Sequence, residues 1–193
     1  MAIAIGGTVY LSCPNKYLGA FLFGIGLFVI LSFGFDLFTG KVGYAVENKP
    51  SYLGELCLIW LGSFAGAVIS ALLITQTRIS TISDKATELC NIKLGDNITS
   101  VFILSFFCGI LMFVAADGYK TIQNPAGQIL AIFLPVVVFI LSGFEHCVAN
   151  MYFFTIADLW SIKAFGYLII MSLGNSIGGI LIPLLRKGFV SKA

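Results

Sequence analysis

The chain alternates long charge-free stretches with short polar ones. Residues 17 to 35, 56 to 75, 98 to 116, 121 to 144 and 164 to 185 hold no Asp, Glu, Lys or Arg. A helix rising ~1.5 Å per residue crosses a ~30 Å hydrocarbon core in about 20 residues. Each stretch is therefore predicted to span a bilayer. Residues 1 to 15 form a sixth uncharged segment, apolar from Met1 to Cys13 and too short to span alone. It has neither the charged start nor the cleavage site of a signal peptide, so it reads as the stump of a first helix whose beginning is missing.

The pattern also repeats. Residues 28 to 40 read FVILSFGFDLFTG and residues 139 to 150 read FILSGFEHCVAN, each running apolar residues into Gly-Phe-acid. Gly34-Phe35-Asp36 and Gly143-Phe144-Glu145 stand at an offset of 109. Downstream, residues 61 to 73 (LGSFAGAVISALL) and 173 to 185 (LGNSIGGILIPLL) match at an offset of 112, with Leu61/Leu173, Gly62/Gly174, Gly66/Gly178, Leu72/Leu184 and Leu73/Leu185 identical. This predicts one transmembrane domain, 1–193, made of two three-helix units: 1–75, with a truncated first helix, and 98–186.

Three spans per unit make the repeat inverted, and such folds carry solute where discontinuous helices meet near the midplane. The second helix of each unit is expected to break at Gly-Phe-acid, with Gly34, Gly40 and Gly143 supplying permissive backbone. Asp36 and Glu145 are expected to accept hydrogen bonds from N–H groups freed at the breaks. Helix ends pointing inward would favour an anion. The Gly62/Gly66 and Gly174/Gly178 pairs read as helix packing.

Composition agrees with a membrane setting: 59% hydrophobic and 10% charged residues, with a mean hydropathy of +1.01. A net charge of +2 without a Lys/Arg cluster excludes nucleic acid as a partner. Placing Arg186, Lys187 and Lys192 in the cytoplasm puts Lys49 and Lys120 there and Lys16, Arg78, Lys85 and Lys93 opposite, a slight bias. Five scattered cysteines without a Cys-x-x-Cys pair, and a single histidine, give neither a disulfide framework nor metal-ligand spacing. Phosphate loops and dinucleotide fingerprints are also missing, so no metal or cofactor is expected.

Charge inside a span is costly, so Asp36, Glu145 and His146 stand out. His146 beside Glu145 at a helix break reads as a proton donor or anion contact, with Glu145 orienting it. Cys147 next to His146 offers a thiol–imidazole pair, but adjacent residues on a helix do not face each other. A membrane enzyme is thus a minor alternative.

Gly143-Phe144-Glu145-His146-Cys147-Val148-Ala149-Asn150-Met151 resembles the hallmark of the formate/nitrite transporter family, and Leu37-Phe38-Thr39-Gly40 its second-helix loop. Gly174-Asn175-Ser176-Ile177-Gly178-Gly179 is similar to its last-helix motif. The resemblance implies an aquaporin-like six-helix protomer in a prokaryotic inner or plasma membrane. It further implies a homopentamer that passes small monovalent anions (formate, nitrite or hydrosulfide); a titratable His146 at the centre leaves both channel-like passage of the anion and proton-coupled passage of the neutral acid open. His146, Thr39, Asn175 and Glu145 would form the pore centre, supported at the second break by Asn150; Phe23, Leu27, Leu37 and Phe139 the constrictions; and Lys93, in the loop before the fourth span, the anion attractor. Gly109, where many members carry asparagine, looks like the hydrosulfide-channel branch, and Ser63 is a second departure. A neutral-solute pore of the aquaporin type is the alternative, although the Asn-Pro-Ala pair is missing.

Overall fold

The computed structural model describes residues 1–190, with Lys192 of the orientation argument outside them. Helix α1 (Ala2–Ser12) leads to α2 (Lys16–Ser32). The short α3 (Phe38–Lys41) runs on as a 3-10 helix, Val42–Glu47. Then come α4 (Tyr52–Thr75), α5 (Ile82–Gly95), α6 (Ile98–Thr121), α7 (Pro125–Leu141), α8 (Cys147–Ile156) and α9 (Ile162–Val190). The described residues contain no strand. Asparagines start three of the helices: Asn15, Asn97 and Asn124 each accept first-turn N–H bonds from their own helix, and Pro125 takes a first position where its missing N–H costs nothing.

Helices α4, α6 and α9 are long and apolar enough to cross a membrane. The fold is inside out by the standards of a soluble protein. Leu58, Leu61, Leu72, Leu73, Leu134, Leu173 and Leu184 face outward, while Thr39, Ser105, His146, Asn150 and Asn175 are buried. Lipid or a neighbouring subunit accounts for that distribution, because an exposed apolar belt of this extent is not stable against water.

The two Gly-Phe-acid stretches interrupt helix in the same way. After α2, the Phe35 N–H bonds the Ile30 carbonyl at 2.8 Å and Gly34 N–H that of Leu31 at 3.4 Å; after α7, Phe144 bonds Phe139 at 2.9 Å and Gly143 bonds Ile140 at 3.3 Å. These paired bonds are those of a Schellman stop, which needs a left-handed residue at the glycine. Gly34 has φ 69° and Gly143 φ 70°. Gly40 differs from expectation: it lies inside α3 and packs toward Ala116, without a left-handed backbone.

Close backbone approach decides the α6–α9 interface. A Cβ on Gly178 would collide with the Phe106 carbonyl, and one on Gly109 with the Asn175 backbone. Gly174 is equally confined, against Ser105 and the Phe102 carbonyl, whereas its repeat counterpart Gly62 has open space around it. Gly178→Ala is expected to lower stability by about 1–3 kcal/mol, because backbone cannot step aside as a side chain can. Thermal unfolding in detergent checks this, with Gly62→Ala shifting by less than about 0.5 kcal/mol.

Candidate functional site

The second break, residues 142 to 146, ends at the start of α8, and His146 is that helix's N-cap. Its Nδ1 accepts the Ala149 N–H at 3.2 Å. The neutral ring therefore carries its proton on Nε2, which lies 2.7 Å from Thr39 Oγ1. The ring donates and the hydroxyl accepts. The threonine sits on α3, just past the first break, so this one bond joins the two interruptions across 107 residues of sequence. Both side chains are sealed, Thr39 at 0% and His146 at 2% exposure.

Asn175 on α9 holds the arrangement from behind. Its Oδ1 accepts the Cys147 N–H at 2.9 Å, and its Nδ2 donates to the carbonyls of Ser105 (2.7 Å) and Glu145 (2.8 Å). Three bonds from one buried amide tie α6, α9 and the second break together. Since the N–H groups of Cys147 and Ala149 already have partners, much of the helix-end positive potential is spent inside the protein.

The carboxylates act differently from the sequence expectation. Glu145 Oε2 accepts from Lys93 Nζ at 2.6 Å and from Asn150 Nδ2 at 2.7 Å, while the N–H groups of Gly143 and Phe144 are taken by the glycine stop and that of Glu145 by the Leu104 carbonyl at 3.3 Å. Glu145 and His146 share no side-chain hydrogen bond among the described residues; the ring is oriented by its own helix cap and by Thr39. Asn150 also bonds the His146 carbonyl at 3.1 Å, and its own Oδ1 is buried without a partner. Asp36 is half exposed and pairs with Lys41 at 2.6 Å. The carboxylates are not needed as acceptors at the second break: the Schellman bonds take the Gly143 and Phe144 N–H groups, and Asn175 and His146 take those of Cys147 and Ala149.

Lys93 is a second correction. It lies on helix α5 and not in a loop; its side chain is 11% exposed and its amine is bound to Glu145. Burial of Ile82, Ala86 and Cys90, spaced four apart, marks the inner face of α5 and carries Lys93 inward with it.

Apolar residues flank the centre on both sides. Phe23 and Phe139 meet edge to face at 5.6 Å, and the Phe139 ring lies 5.7 Å from that of His146. Beyond them is a cavity of about 50 Å³ that Lys93 also lines. Leu27 and Leu37 border a cavity of about 110 Å³ opening the other way, between Gly34, Lys41 and Lys120. The two lysines of that cavity are not singled out by the sequence: Lys120 borders the charge-free run 121 to 144, and Lys41 borders none. The described residues hold no group of three or more His, Cys, Asp or Glu able to bind a metal.

Residues 1–187 match the family described as Formate/nitrite transporter. The chain is 30% identical to an uncharacterized transporter of Bacillus subtilis, YwcJ, over 83% of this chain and 70% of that protein. It is 26% identical to a formate-nitrite transporter of Plasmodium knowlesi, over 92% of this chain and 66% of the relative. The chain thus spans about two thirds of the length of these curated relatives. Among solved structures, a pentameric formate channel with formate bound superposes with a TM-score of 0.85 at 23% identity, covering 100% of this chain and 93% of the other.

Proposed function

The chain belongs to the formate/nitrite transporter family, and on that premise we propose that it carries formate-type monovalent anions through a pore centred on His146 and Thr39. Family membership makes it an integral, multi-pass membrane transport protein and not an enzyme. One observation carries the pore reading: the sealed Thr39–His146 pair adjoins residues of both cavities, His146 through the Phe139 ring that lines one, and Thr39 through its chain neighbours Leu37 and Gly40 that line the other.

A bare anion in an apolar constriction loses its hydration without replacement, so the rings of Phe23, Phe139, Leu27 and Leu37 oppose hydrated ions. At the centre the Thr39 hydroxyl accepts from His146 and so turns its own hydrogen outward to an arriving anion. Proton coupling is the finer part of the proposal. It needs a second proton on Nδ1, which displaces the Ala149 N–H. The imidazolium then passes its Nε2 proton to Thr39 as the hydroxyl proton moves to the anion, leaving a neutral ring and a neutral acid. Lys93 lines the cavity on the Phe23 side, where its pair with Glu145 cancels most of its charge and leaves an N–H donor for an arriving anion.

The architecture is read with it: two inverted three-helix units, 1–75 and 98–186, with α2/α3 and α7/α8 as the broken spans. The matched glycine stops support that reading. A homopentamer with one pore per protomer is the assembly proposed, in line with the pentameric channel of similar fold. A prokaryotic inner or plasma membrane is the proposed location; relatives occur in both Bacillus and Plasmodium. Hydrosulfide specificity rests on Gly109, whose tight contact with Asn175 gives it a packing reason of its own. Formate is therefore the first anion to test.

Proteoliposomes holding the purified chain are expected to take up labelled formate faster than empty vesicles, with hydrosulfide measured in parallel and glycerol excluded. Glycerol permeation without formate uptake would replace this reading with a neutral-solute pore.

A further inference from the structure

Resting on the pore reading above, we propose that Lys120, with Lys41 beside it, receives monovalent, carboxylate-sized anions at the Leu27/Leu37 mouth. The cavity there, about 110 Å³, brings the lysines from α6 and α3 together with Leu27, Leu37, Gly40 and Tyr119. Cation and constriction share one wall.

What leaves Lys120 available is a diversion of its natural partner. Asp117 lies three residues earlier on α6, the spacing at which a carboxylate and an amine on a helix meet. Arg186 of α9 takes Asp117 instead, at 2.7 Å, and the Tyr44 hydroxyl donates to it at 3.4 Å. Among the described residues Lys120 makes no ion pair, and its amine sits 4.3 Å from the centre of the Tyr44 ring. Lys41 does have a partner, Asp36 at 2.6 Å, but the side chains are 35% and 50% exposed. An ion pair so open to water holds weakly and yields to a competing anion. A small carboxylate entering this cavity meets one free amine and a second that can be freed, directly before the apolar ring it must cross.

A lysine in the last turn of a helix also complements the helix dipole, a purely structural role. Transport kinetics separate the two. In proteoliposomes, Lys120→Gln is expected to raise the half-saturating formate concentration by about threefold to tenfold with the maximal rate and melting temperature kept. Lys120→Arg keeps the wild-type value, and the difference shrinks in high salt. Arg186→Gln releases Asp117 to pair with Lys120 and is expected to raise half-saturation as well. Lys49→Gln, exposed outside the cavity, leaves it unchanged. Half-saturation unaltered in Lys120→Gln, or a joint fall of maximal rate and melting temperature, would overturn the proposal. Absence of flux from the wild-type chain overturns the pore reading and this inference with it.

Discussion

Asn175→Ala is expected to remove several kcal/mol of stability, on the order of 3–6. The substitution strips the Cys147 N–H and the Glu145 carbonyl of their Asn175 partner and removes a second bond from the Ser105 carbonyl, which keeps its helix bond. Each buried polar group left unpaired costs about 1–3 kcal/mol, and here neither water nor a neighbouring side chain can replace the amide. Against a total stability of about 5–15 kcal/mol, such a loss brings the protein close to unfolding at growth temperature. Asn124→Ala, which removes a helix cap at the exposed start of α7, is the comparison and costs about 1 kcal/mol. Melting in detergent, followed by size-exclusion chromatography, reads both. If Asn175→Ala melted no lower than Asn124→Ala, the amide would not be the pin between α6, α9 and the second break.

Which parts of this arrangement could be seen in the sequence depends on how local their cause is. The breaks were visible because a Schellman stop is written in consecutive residues: Gly34-Phe35 and Gly143-Phe144 supply both the left-handed backbone and the bond donors. The spans were visible because lipid demands uninterrupted apolar runs. Partners of the acids were not, since Lys93 is brought to Glu145 by the packing of α5 and Arg186 to Asp117 by that of α9. Helix α5 itself was missed as a helix because charges interrupt it. Its signal was the buried spacing Ile82, Ala86, Cys90, which no charge-free criterion can register.

The same distinction frames the central residue. A resemblance singled out His146, Thr39 and Asn175 together, but only the structure assigns which ring nitrogen faces which partner. Nδ1 is committed to the helix and Nε2 to Thr39. Those two commitments are separable by mutation. Asparagine is a good N-cap, able to accept the Ala149 N–H as the ring does, but it cannot titrate or reach as far toward Thr39.

His146→Asn is therefore expected to fold and assemble like the wild type while losing transport. A hydrogen bond to a charged group contributes about 1.5–3 kcal/mol, so formate uptake driven by an inward proton gradient should fall by at least about tenfold. His146→Phe removes the cap as well and should lose both uptake and part of its stability, by about 0.5–2 kcal/mol. Measuring the pair in matched proteoliposomes, with melting temperatures beside the flux, distinguishes a site of chemistry from a structural cap. Equal flux in His146→Asn and wild type would reduce His146 to a cap. Loss of proton-driven uptake with a retained, gradient-independent formate leak would mean the ring handles the proton and Thr39 alone suffices to pass the anion.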